Sequence, residues 1–191
     1  MYDNLIDAVH KNLPSMHKYM EIRKRALGLD KLNMYDVYRP IVKPEGLECS
    51  YEEAVDIACK ALEPLGDEYI QTLRKGLTED RWVDIYENKG KTSGAYSFGS
   101  YDSNPYILMN FSGELRDVFT LVHEAGHSMH SYYTRRTQPF VYGGHSIFTA
   151  EVASTVNETL LIHYLLKHAE TSDMKKYLIN LYIDEFKSTL F

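Results

Sequence analysis

The stretch Leu121-Val122-His123-Glu124-Ala125-Gly126-His127-Ser128 constrains this chain more than any other. Residues four apart on an α-helix sit one turn apart on nearly the same face, so His123 and His127 can aim both imidazoles at one point. Two neutral imidazoles are good zinc ligands, and a carboxylate beside them can act as general base on a zinc-activated water. Glu124 has that place, because a base must reach the water and leave the metal to others. Leu115, Val118, Phe119, Val122, Ala125 and Met129 recur at helical spacing and predict a buried helix around the motif. The bland alternative is a helix that carries two histidines and a glutamate by coincidence. A third ligand decides between them.

One option for that ligand is a histidine in the pattern HExxHxxGxxH. It fails here, because the glycine place holds His130 and the last place holds Tyr133. The other option is a carboxylate on a following helix, and Glu151 is the candidate. It lies 24 residues after His127, enough for the rest of one helix, a reversal and the start of the next. Small residues surround it in Ala150-Glu151-Val152-Ala153-Ser154, which allows close packing against the first helix. Glu158 follows two turns later on the same face as Glu151. It is either an acceptor for the outer N–H of a ligand imidazole or a plain surface carboxylate.

Composition narrows the class. The chain has 191 residues, enough for one sizeable domain, and 44% of them are apolar, so a folded core is expected. A net charge of −6 argues against a nucleic-acid partner. Cys49 and Cys59 read as reduced cytosolic thiols and not as a disulfide framework. Tyr2-Asp3-Asn4 lacks the basic flank of a signal peptide, and Asp7 interrupts the apolar run. No stretch approaches the roughly 18 apolar residues of a membrane span. A cytoplasmic protein is the expectation.

Along the chain, residues 1–28 read as two helices broken at Asn12-Leu13-Pro14, with Pro14 opening the second. Asp30 to Pro44 reads as irregular or extended. Ser50-Tyr51-Glu52-Glu53 has the form of a capping box before a helix that stops near Pro64. A further helix carries Tyr69, Ile70, Leu73 and Leu77, and Thr78 is placed to cap a short one through Trp82, Val83 and Ile85. Asn88 to Gly94 marks a loop. Ala95–Phe98 and Tyr106–Phe111 read as a strand pair separated by a turn. These strands either pair with an extended peptide or merely cover the core. Helices follow over about Ser146–His168 and from Met174 to the end, where Phe191 stops in mid-pattern as if a helix were cut.

The run from Phe119 to Tyr133, together with Phe148-Thr149-Ala150-Glu151-Val152-Ala153-Ser154-Thr155-Val156-Asn157-Glu158, resembles the oligoendopeptidase F family. That family lies within the thimet-oligopeptidase-like zinc peptidases. The likeness extends to Asn12-Leu13-Pro14, Arg23-Lys24, Lys31-Leu32 and Met34-Tyr35-Asp36-Val37-Tyr38. The resemblance implies one Zn2+ held by His123, His127 and Glu151, with Glu124 as general base. It also implies cytosolic cleavage of oligopeptides in a deep channel between largely helical lobes. With it, the peptide-pairing reading of the strand around Tyr106, Ile107, Leu108, Met109 and Asn110 becomes the favoured one.

Members of that family are about three times longer, so the chain reads as a middle piece that lacks N- and C-terminal parts of its parent. Their downstream tyrosine- and histidine-rich segment, which stabilises the oxyanion, has no counterpart. Tyr132, Tyr133, Tyr142 and His145 do not occupy its place. The expected architecture is mainly α with a small β-sheet, a zincin-like catalytic-domain fragment read as one domain over residues 1–191. Its parts are a helical region 1–87, a strand pair 94–111, metal-binding helices 112–168 and a truncated helix 173–191. The expected function is zinc-dependent hydrolysis of oligopeptides. Two rivals are a non-catalytic zinc-binding structural fragment and a helical scaffold without metal.

Overall fold

The computed structural model describes residues 1–42 and 48–190. The described elements run in the order α1 (Tyr2–Ala26), α2 (Tyr51–Ala61), α3 (Asp67–Thr78), β1 (Val83–Asp84), β2 (Tyr96–Phe98), β3 (Tyr106–Leu108), α4 (Leu115–Thr137), α5 (Ile147–His168) and α6 (Ser172–Leu190). The protein is mainly helical with one small sheet. Its chain divides into two compact units, Met1–Glu45 with Ala169–Phe191, and Gly46–His168. Pro44 and Phe191, where the irregular stretch and the cut helix were expected to end, lie outside the described residues.

In the first unit α1 is one helix, not two, and Pro14 lies inside it. The stripe Leu5, Ala8, Val9, Asn12, Met16 and Tyr19 keeps its helical phase through the proline. Pro14 itself is exposed, where water can take up the carbonyl that its missing N–H leaves free. The buried residues of the helix, Tyr19 and Arg23, lie beyond the proline. Tyr19 Oη lies 2.8 Å from Asn180 Oδ1 and 2.9 Å from Asp184 Oδ1. The buried Arg23 donates from Nη1 to Tyr19 Oη at 2.9 Å, so the guanidinium is paired where α1 meets α6.

The second unit is built on α4. Its N-terminus is fixed by Asp117, whose Oδ2 accepts from the backbone N–H groups of Ser112, Gly113 and Glu114 at 2.8, 3.0 and 3.1 Å. Leu115, Val118, Val122, Ala125 and Met129 are buried, as the spacing predicts, and Leu121 joins them, while Phe119 is only half-buried. Ser50 caps α2 through the predicted box, accepting from Glu53 N–H at 3.2 Å. Ala54, Val55, Ala58 and Leu62 then bury against the same core.

Thr78 does not start a helix. It ends α3, with its hydroxyl donating back to the Arg74 carbonyl at 2.7 Å. Trp82 folds over Gly76, where a Cβ would lie 2.4 Å from the indole, and Val83–Asp84 leave as a strand. That strand is a third member of the sheet, whose order is β1-β3-β2. β1 pairs parallel with β3 in the register Val83↔Ile107, and β2 pairs antiparallel with it in the register Ser97↔Ile107.

Candidate metal and catalytic site

Helix α5 crosses α4 at a glycine. A Cβ on Gly126 would meet Ser154 Cα at 2.7 Å and Ala153 O at 2.8 Å, so only glycine permits this approach. Asn157, buried beside the crossing, donates to the Val122 carbonyl at 2.9 Å and to Tyr69 Oη at 3.1 Å. The contact brings the start of α5 against the histidine face of α4.

Three donor atoms converge there. His123 Nε2 and His127 Nε2 are 3.1 Å apart, and Glu151 Oε2 is 3.4 Å from each. Ligands about 2.0–2.1 Å from a tetrahedral zinc are separated by roughly 3.3 Å, so the donors present fit that ion. Among the described residues this is the one group of at least three acid, histidine or cysteine donors with atoms within 4.8 Å of one another. Ser154 Oγ donates to Glu151 Oε2 at 2.8 Å and orients it, while the Glu151 side chain stays 62% exposed. The site is open to solvent on that side.

The outer nitrogens decide which lone pairs face inward. His123 Nδ1 lies 3.0 Å from Glu158 Oε1, an N–H donated to a carboxylate, which leaves the Nε2 lone pair free for a metal. His127 is held by the Ala150 carbonyl. Glu158, by its hydrogen bond, raises the His123 pKa above its ordinary value and makes this ring the more electron-rich donor. Burial, with the His123 charge second, lowers the pKa of His127 and favours its neutral form.

Glu124 is not among the three converging donors. It is 7% exposed and turned toward β2, where its carboxylate accepts the Ser97 backbone N–H. Burial raises its pKa, and the His123 charge partly opposes this. A carboxylate of raised basicity beside a water-activating cation can take a proton and return it. The Ser97 hydroxyl lies 2.8 Å from that of Ser128, one turn beyond Glu124 and fully buried.

The strand proposed to hold a peptide needs correction. β3 is the central strand, so Tyr106, Ile107 and Leu108 already pair on both sides. Ile107 N–H donates to Trp82 O at 2.6 Å and Met109 N–H to Asp84 O at 2.9 Å, both toward β1. Met109 is buried, and the Asn110 amide donates to the carbonyls of Thr92 and Gly94 at 3.1 and 2.9 Å. β1 and β2 are the two edges of the sheet, and β2 is the one beside Glu124. Since Tyr106 and Leu108 face β2, alternation turns the backbone groups of Ser97 away from the sheet, toward Glu124.

Tyr132 packs against Trp82 and Tyr133 against Tyr69, and both rings are half-buried. His145 stacks on His130 with centroids 4.1 Å apart. Ser97, Ser128 and Ala150 have no place in the motif reading. Only proximity in the fold gives them one.

A helix with two histidines one turn apart, a carboxylate from the next helix and an edge strand beside Glu124 are the arrangement of the zincin-like class. The chain belongs to peptidase family M3, whose model matches residues 1–191. It is 53% identical over 191 residues to the oligopeptidase PepF of Bacillus subtilis, covering 100% of this chain and 28% of that one. A crystal structure of a candidate peptidase from Chlamydophila abortus superimposes with a TM-score of 0.90 at 47% identity, over 98% of this chain and 31% of the other. Oligoendopeptidase-F from Enterococcus faecium superimposes with a TM-score of 0.62 at 35% identity, over 99% and 25%. The chain therefore spans less than a third of the length of these relatives.

Proposed function

We propose that this chain carries the metal-binding and proton-transfer centre of a zinc-dependent endopeptidase that hydrolyses oligopeptides in the cytoplasm. The observation that carries the reading is the convergence of His123, His127 and Glu151 at 3.1–3.4 Å, with Glu124 adjacent and aimed at a strand edge. A divalent ion bound by those three residues would acidify water and polarise a carbonyl. Glu124 accepts the proton of the attacking water at its carboxylate and hands it to the leaving amide nitrogen. Glu158 holds the His123 ring in the tautomer that presents Nε2. The peptide backbone runs along the outer edge of β2, beside Ser97.

Both compact units are read as parts of one catalytic domain completed by further segments of a longer protein. The two free thiols suit a reducing compartment. The test is metal analysis with a quenched-peptide assay on the full-length protein and its Glu124→Gln variant. Zinc at one equivalent in both, with hydrolysis lost in the variant, supports the assignment. Undiminished turnover removes Glu124 from the role. Bound zinc without hydrolysis in the wild type favours a structural zinc domain instead.

A further inference from the structure

The chain is tied to α4 at a second place just past β2, beyond the Ser97–Ser128 contact. Arg135, about two turns past Ser128, donates from Nη2 to the Gly99 carbonyl at 2.9 Å. Its Nη1 lies against Gly99 so closely that a Cβ there would come within 2.8 Å. That nitrogen is buried and has no hydrogen-bond partner among the described residues. Burial holds the Arg135 pKa below its ordinary value.

An unpaired buried donor is costly, and a methionine would fill similar space without it. Stability alone therefore does not explain an arginine here. What the guanidinium does, and an apolar chain cannot, is occupy a carbonyl. Gly99 is the first residue past β2 and two after Ser97, the place where the next outward carbonyl falls if the alternation of the strand carries on by one residue. Of the outward groups, the Ser97 N–H is engaged by Glu124 and the Gly99 carbonyl by Arg135.

We propose that Arg135 is a positioning residue for peptide cleavage: by occupying the Gly99 carbonyl it ends the row of acceptors on β2 and sets the register in which a peptide meets Glu124. This rests on the peptidase reading above. With the carbonyl released, a peptide can slide by two residues, the smallest shift that keeps its side chains on the same faces. A second bond, two residues away, then comes before the base.

The experiment uses the full-length protein with an oligopeptide whose products are sized by mass spectrometry. For Arg135→Met we expect zinc content to hold, turnover to fall about tenfold, and a second cut two residues from the first. Arg135→Lys, which keeps a donor, restores most of the single cut. If Arg135→Met does not fold, Arg135→Gln, polar but shorter than the arginine, tests the same point; Gly99→Ala does not, since its Cβ would also meet the Asn104 carbonyl at 2.8 Å. An unchanged cut site in Arg135→Met, or in Arg135→Gln where the first does not fold, overturns the proposal, even if turnover falls, because Arg135 then only supports the fold. A wild type that cleaves nothing refutes the peptidase reading and the proposal with it.

Discussion

Gly126 of α4 and Ser154 of α5 approach so closely that a single added carbon at the glycine would lie 2.7 Å from the serine Cα. The atom it would meet is backbone, which cannot rotate aside. At an exposed helical site, Gly→Ala gains about 1 kcal/mol from helix propensity. Here overpacking, typically about 1–3 kcal/mol, outweighs that gain. Gly126→Ala should therefore lower stability and also weaken zinc binding, because Glu151 recoils with α5 while the histidines stay on α4. Urea unfolding and a competitive zinc titration check both. A stabilised variant with unchanged affinity would show that the crossing does not set the site.

Glu158 orders the His123 ring from outside. Losing such a partner typically costs about 10–100-fold in metal affinity. Glu158→Gln keeps an acceptor oxygen without the charge, so its loss should lie near tenfold. Glu158→Ala leaves the 3.0 Å hydrogen bond unmade and should approach the larger figure. Zinc competition against a chromophoric chelator measures each. Equal affinities for all three proteins would return Glu158 to the status of a surface carboxylate.

The convergence of His123 and His127 was legible because its geometry is local: two residues one turn apart share a face in any helix. Glu151 required one further step, a helix reversal between flanking small residues. The sheet was harder. Whether Tyr106–Leu108 forms an edge or a centre depends on Val83–Asp84, a two-residue strand whose parallel partner lies across a long loop. Nothing near either segment announces that pairing, and Trp82-Val83-Asp84-Ile85 reads equally as a helical turn. Pro14 misled for the opposite reason. The helix runs through the breaker at an exposed position, where water takes the freed carbonyl, and is anchored beyond it by Tyr19 and Arg23 against α6, partners that no local rule contains. Ser97, Ser128 and Arg135 gain their meaning only from the closeness of β2 to α4.

Asp117 offers a measure of how far the helix start supports the site. Its Oδ2 gathers the N–H groups of Ser112, Gly113 and Glu114 and the Ser112 hydroxyl, all within 3.1 Å. Removing such a cap typically costs about 1–2 kcal/mol. Asp117→Ala should lose that amount in urea unfolding while zinc affinity changes less than threefold, since His123 lies nearly two turns further on. Affinity falling in step with stability would mean that the first turn and the metal site form one unit.

Tyr69 links stability to alkaline pH. Burial pushes its hydroxyl up to about 12 from an ordinary 10.0, against the opposing effect of its bond to Asn157. The folded chain therefore holds the phenolic proton more tightly than the unfolded chain does. That contribution is complete below about pH 10 and is lost as pH climbs through about 12. Tyr69→Phe removes the titrating group and the hydrogen bonds with Asn157. At pH 8 the variant should be less stable by about 1 kcal/mol. Between pH 10 and 12 its stability should decline less steeply than that of the wild type, so the two curves converge. Tyr19 and Tyr51, also raised by burial, contribute to the decline in both proteins and do not affect the difference. Urea unfolding at stepped pH reads it directly, and curves that stay parallel would place the Tyr69 hydroxyl in contact with water.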